Sequence, residues 1–226
     1  MIVDSMAKSG RSAESRTAPR TGRRLEAAVR EKQIVDGAVQ FFAKHGFDGR
    51  TRDLADILGV TQPLLYRYFP TKRSLIDRVF REIYLKPIDP AWAEQLTDRA
   101  TPLVQRIEDF YTRYAQATYH YEWIRIYMFA GLMGEDLIKS YTNVIEEGFL
   151  KPICAEMRYH CGLPGPEAIP ISPIELEHVW VLHGGLFFYG VRKFIFGSQV
   201  SDDFAAIVGR AVKAMLEGIK SMANAD

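Results

Sequence analysis

The sequence is short of long apolar runs, of cysteine and of net charge, and each shortage removes a class of protein. No stretch approaches the roughly 18 consecutive apolar residues that a bilayer span requires. The best, Val179 to Val191, is broken by His183 and by glycines. The opening residues, MIVDSM, run straight into polar sequence without an apolar signal core, so the chain is expected to be cytoplasmic with no membrane partner. Cysteine occurs only at Cys154 and Cys161. On one helix their Cα atoms would lie about 10 Å apart, beyond disulfide reach, and free thiols fit a reducing compartment.

Catalytic signatures are missing too. There is no His-Glu-x-x-His, no Gly-rich phosphate loop and no nucleophile elbow. His120, Glu122, His178 and His183 are of metal-ligating type, but His178 and His183 sit about 140° apart on a helix and face different ways. No enzyme activity, metal or cofactor is expected.

Strand-type alternation and internal repeats are also lacking, whereas apolar residues recur at helical spacing almost throughout. The expected fold class is all-α. Residues 1–24 carry Ser, Thr, Ala, Gly and Arg with few large apolar side chains, and read as a disordered basic arm. From Leu25, Ile34, Ala38, Phe41 and Phe42 line one helical face that ends at Gly46. A short helix with Leu54, Ala55 and Leu58 inward stops at Gly59, where a sharp turn demands positive φ. Thr61 caps a third helix with Pro63 in its first turn, Phe69-Pro70 breaks it, and Thr71 caps a fourth.

The whole chain has a net charge of +1, but residues 1–80 hold 15 Lys/Arg against 9 Asp/Glu and the remainder 14 against 19. The positive third implies a polyanionic partner for that part alone. The crowded segment LGVTQPLLYRYFPTK, Leu58 to Lys72, is where such a partner would meet the chain. With Leu65 and Phe69 turned inward, Gln62, Pro63, Leu64, Tyr66, Arg67 and Tyr68 are left largely outside. Gln suits adenine, Arg suits guanine, and Pro63 and Leu64 suit a thymine methyl. Tyrosine hydroxyls and Lys72, at a helix start, suit phosphate oxygens. The competing reading packs Tyr66 and Tyr68 against the first and fourth helices and leaves only Arg67 outside.

The residues from Gln33 to Tyr84, IVDGAVQFFAKHGF through LADILGVTQPLLYRYFPTKRSLIDRVF, resemble the DNA-binding domain of the TetR family of bacterial transcriptional regulators. The resemblance is carried by Ile34, Ala38, Phe42, Gly46, Phe47, Leu54-Ala55, Leu58-Gly59-Val60-Thr61, Leu65-Tyr66, Tyr68-Phe69, Lys72 and Leu75. Arg50 departs from the pattern by standing where a capping Thr or Ser is usual, which passes the phosphate role to Thr51 or Arg52. Leu64 also departs from it. The resemblance implies a helix-turn-helix domain over 25–85 and a C-terminal ligand-binding and dimerisation domain over 86–226. It further implies a homodimer on a double-stranded DNA operator, released by a small-molecule effector. A DNA-binding protein without an effector, controlled by a protein partner or acting architecturally, is the alternative.

In the C-terminal part, Ser172-Pro173-Ile174-Glu175 is a capping box with proline at the first helical position. Phe204, Ile207, Val208, Ala211, Met215, Ile219 and Met222 make a stripe on the last helix, and Gly184, Gly185 and Gly190 permit close backbone approach, together suiting a dimer interface. Tyr114, Trp123, Tyr127, Trp180, Phe187, His183 and Arg192 are the candidates to hold an apolar or aromatic effector, with His183 and Arg192 as the fixed polar groups.

Overall fold

The computed structural model describes residues 20–134 and 136–223, with side chains over 26–134 and 138–221. Among these residues every regular element is helical. The first is α1 (Arg20–His45), so residues 20–24 of the expected arm are helical and the rest of that arm lies outside the described residues. Then come α2 (Thr51–Ile57), α3 (Gln62–Tyr68) and α4 (Lys72–Phe80), which runs on as a π-helical turn, Arg81–Leu85. The C-terminal part holds α5 (Ala91–Thr97), α6 (Leu103–Thr118), α7 (Tyr121–Leu132) and α8 (Asp136–Ile145). A second π-helical turn, Glu146–Leu150, leads to α9 (Lys151–His160), followed by α10 (Pro173–Phe194) and α11 (Phe204–Ala223). Gly148 lies within this second π-turn, and Pro152 sits in the first turn of α9.

The boundaries follow from local chemistry. Gly46 and Gly59 adopt φ of +68° and +63°, the left-handed region that a side chain disfavours. Thr61 Oγ1 accepts from the Leu64 N–H at 3.4 Å, and Phe69 is extended ahead of Pro70. Thr71 and Ser74 form a reciprocal cap on α4, as Ser172 and Glu175 do on α10.

One apolar core runs through the whole protein, from Ile34 and Phe42 in α1 to Val212 and Leu216 in α11. It includes a network of rings: Phe80, Tyr84, Trp92, Phe110, Tyr111, Tyr114, Tyr119, Trp123, Tyr127, Tyr141, Phe149, His183 and Phe187. The buried charges are paired, as interior charges must be. Glu156 accepts from Arg106 at 2.9 Å and Arg99 at 2.8 Å. Arg158 binds Glu175 at 2.6 Å and the carbonyls of Pro164, Ile169 and Pro170, pinning the loop between α9 and α10. Cys154 and Cys161 are free thiols. No helix among the described residues is long and apolar enough to cross a membrane.

Candidate nucleic-acid interface and interior site

Leu65 (1% exposed) and Phe69 (6%) anchor α3 in the core. This leaves Pro63, Tyr66 and Arg67 exposed and Gln62, Leu64, Tyr68 and Lys72 half-buried. The two readings of the tyrosines divide between them. Tyr68 packs against the core and carries the Arg67 guanidinium 5.9 Å from its ring centre, whereas Tyr66 keeps 37% exposure.

Thr51, expected at the surface, is buried at the start of α2. Its Oγ1 lies 3.0 Å from the Tyr66 hydroxyl and accepts from Gln62 Nε2 at 3.3 Å. Helical spacing carries no sign of this link, because the three residues come from two helices. Arg52 is exposed. Arg50, at the α2 N-cap position, makes no side-chain cap and pairs with Asp53 at 3.3 Å. The exposed face of α3 thus offers one guanidinium, Arg67, and a tyrosine hydroxyl, Tyr66, held in place from beneath by Thr51.

The residues expected to hold an effector separate into two groups. Tyr114, Trp123, Tyr127, Phe187, His183 and Trp180 come together. Trp123 stacks on Tyr127 with ring centres 5.4 Å apart. Tyr127 meets Phe187 at 5.3 Å, Tyr114 meets His183 at 5.5 Å, and Trp180 meets His183 at 5.5 Å. Burial pushes the hydroxyl pKa values of Tyr111, Tyr114 and Tyr119 upward and draws His183 down to about 4, so all four side chains are neutral at ordinary pH.

Arg192 does not join them. It is exposed, and with Val181, Tyr189, Ile207 and Met215 it lines a separate groove of about 540 Å³ between α10 and α11. At 22 residues α10 has room for two faces, and helical spacing did not separate the one that carries Arg192 from the one that carries His183.

Gly190 is a second correction. It is buried, and a Cβ there would lie 3.1 Å from Ile124 Cδ1 and 3.3 Å from Tyr119, so its close approach is to the same chain. Gly184 and Gly185 do face outward. On α11, Val208 belongs to the core while Ile207, Ala211, Met215 and Ile219 line the groove; the Met222 side chain lies outside the described residues. No cluster of three or more His, Cys, Asp or Glu that could hold a metal occurs among the described residues.

An all-helical chain with two short helices joined by a glycine turn, the second presenting aromatic and basic groups, is a helix-turn-helix protein. The family model described as "Bacterial regulatory proteins, tetR family" matches residues 34–79, the stretch from α1 through α4 that holds the helix-turn-helix. The HTH-type transcriptional regulator LuxR of Vibrio harveyi is 35% identical over 66 residues, 29% of this chain and 31% of that protein. Tetracycline repressor protein class D of Escherichia coli is 36% identical over 64 residues, 28% and 29% of the two chains. The match therefore spans about a third of the length of these relatives. A tetR-family transcriptional regulator from Streptomyces coelicolor shares the fold with a TM-score of 0.57 at 15% identity, covering 86% of this chain and 83% of that one. Mycobacterium smegmatis AmtR gives 0.56 at 20% identity, covering 82% and 85%.

Proposed function

We propose that this protein is a cytoplasmic, homodimeric transcriptional repressor that leaves its operator when a small molecule binds its C-terminal part. The observation that carries the reading is α3. Two buried anchors, Leu65 and Phe69, hold a seven-residue helix whose outer face shows Pro63, Tyr66 and Arg67. A major groove admits one helix of this kind. In this reading Gln62, Pro63, Leu64 and Arg67 meet base edges, while Tyr66, Tyr68, Arg52 and Lys72 meet the backbone. Thr51 acts from beneath as a positioning residue. Residues 25–85 form the DNA-binding domain and 86–226 the effector and dimerisation domain.

Dimerisation is supported by the outer face of α10. Ile174 (72% exposed), Val181 (72%) and Phe188 (51%) recur every seven residues beside the outward-facing Gly184 and Gly185, and the groove against α11 runs alongside. A second copy covering this apolar stripe would give two α3 helices, matching half-sites about 34–36 Å apart or a similar distance. The names of the matched relatives, which include regulators and a repressor, favour the same reading.

The test is a footprint on the DNA upstream of the protein's own gene at two salt concentrations. A protected palindromic site that persists at the higher salt is expected. Diffuse protection that collapses with salt would mean phosphate attraction without sequence recognition and would overturn the proposal for that DNA.

A further inference from the structure

Protein interiors leave few polar atoms without a hydrogen-bond partner, because each such atom has lost its bonds to water and gained none in return. Here four of them fall in one ring cluster: the hydroxyls of Tyr111 and Tyr119, Trp123 Nε1 and His183 Nδ1 are buried and find no partner within the described residues. The side chains are neighbours. Tyr111 and His183 have ring centres 5.9 Å apart, Tyr114 bridges to Tyr119 at 5.7 Å, and Tyr119 meets Trp123 at 6.2 Å. Phe187 touches Tyr119, Trp123 and Tyr127, closing the set on the α10 side.

Three of the four atoms can donate: the indole N–H only donates, the two neutral phenols donate or accept, and the neutral His183 Nδ1 does one or the other by tautomer. The buried charges are spent elsewhere: Arg106 on Glu156 and Arg158 on Glu175. Glu146 accepts from Trp180 Nε1 at 3.2 Å and places a carboxylate at the edge of the cluster. Arg192, the cation among the residues expected to hold an effector, lies in the groove on the outer side. The rings of the cluster therefore supply hydrogen bonds but no positive charge to balance an anion, and the Glu146 carboxylate at the edge opposes one.

We propose that Tyr111, Tyr119, Trp123 and His183 form the effector site, and that the effector is an uncharged molecule with an aromatic or apolar body and hydrogen-bond-accepting oxygens, such as ketones, ethers or lactones. This deepens the effector-responsive reading above and rests on it. The body packs against Tyr127 and Phe187, which are only partly buried. The oxygens take the partners that the phenols and the indole lack.

Two measurements test it. Calorimetric titration of the purified full chain uses matched probes: coumarin against coumarin-3-carboxylate, and 4-methoxyacetophenone against 4-methoxybenzoate. The neutral member of each pair is expected to bind at least about ten-fold tighter. In the probe-free protein, Tyr111→Phe and Tyr119→Phe are expected to leave Tm unchanged or raise it, because each removes an unpaired hydroxyl, while together they weaken the neutral probes by about ten-fold or more. Carboxylates binding as well as the neutral probes, no binding of either neutral probe, or a clear fall in Tm in the phenylalanine variants would each overturn the proposal. Operator binding without any probe is measured alongside. Its loss would sink the repressor reading and leave the site standing, whereas failed titrations beside intact operator binding would sink the site alone.

Discussion

The Tyr84 hydroxyl donates to the main-chain carbonyl of Trp123 at 2.7 Å, joining the π-helical turn after α4 to the first turn of α7. Both side chains are almost fully buried. Replacing Tyr84 by Phe removes one buried hydrogen bond and is expected to cost about 0.5–1.5 kcal/mol in denaturant unfolding. It leaves ring packing against Phe80 and Trp123 in place. Affinity for operator DNA should change little. An effect on DNA binding larger than that on stability would mean that this bond sets the domain's position.

Thr51→Val keeps the shape of the side chain and removes the oxygen shared by Tyr66 and Gln62. Operator affinity should fall several-fold with an unchanged dependence on salt, since no phosphate-neutralising charge is lost. Lys72→Ala should instead lower the salt slope by about 1. Anisotropy titrations over a salt series separate the two. A changed salt slope for the Thr51 variant would mean that Thr51 affects a phosphate contact after all.

His183 is held neutral by burial, with its pKa drawn down to about 4. An unfolded histidine takes up a proton near pH 6.5, so the unfolded state binds more protons between about pH 6.5 and 4. Stability from this group is complete above that range and is lost as the pH falls through it. The side chain is packed by Tyr111, Tyr114 and Trp180. His183→Asn should flatten the fall in Tm over this window relative to the parent. Parallel curves would show that His183 protonates without penalty.

Glu175 has the opposite partner set. The Arg158 guanidinium and the α10 cap pull its carboxyl down to about 2. That stabilisation is present above the ordinary carboxylate range and disappears as the pH falls towards 2. Because about a third of the side chain is exposed, the expected cost of Glu175→Gln at pH 7 is only about 1–2 kcal/mol. Unfolding curves at pH 7 and pH 3 should show the difference shrinking in acid.

Phe188→Glu places a charge on the apolar stripe of α10 without touching the core. The variant should keep its helical signal and sediment at half the parent mass, and lose cooperative binding to the palindromic site. A variant that stays dimeric would remove this face from the interface.

Much of the fold was legible because its punctuation is local. Gly46, Gly59, Thr61, Thr71 and Ser172 each act within one turn of chain, and the helices begin and end where these residues require. What stayed hidden depends on which neighbour a face meets. Helical spacing could place Gly190 and Arg192 on α10 but not tell a contact with Tyr119 from one with a second chain. Thr51 looked like a surface phosphate ligand until α3 brought Tyr66 over it. The unpaired atoms of Tyr111 and Tyr119 could not be read at all, since a missing partner is a property of three-dimensional packing.

Helix α7 has two addresses. Trp123 and Tyr127 turn into the ring cluster, while Arg125 donates to the Ala43 carbonyl and Phe129 packs beneath Gly46, at the end of α1. In the helix these pairs are about 200° apart, so they occupy opposite sides of one rigid rod. Substitutions at positions 123 and 127 would therefore reshape the ring cluster on one side of this rod and leave in place the contacts of Arg125 and Phe129 with the end of α1 on the other.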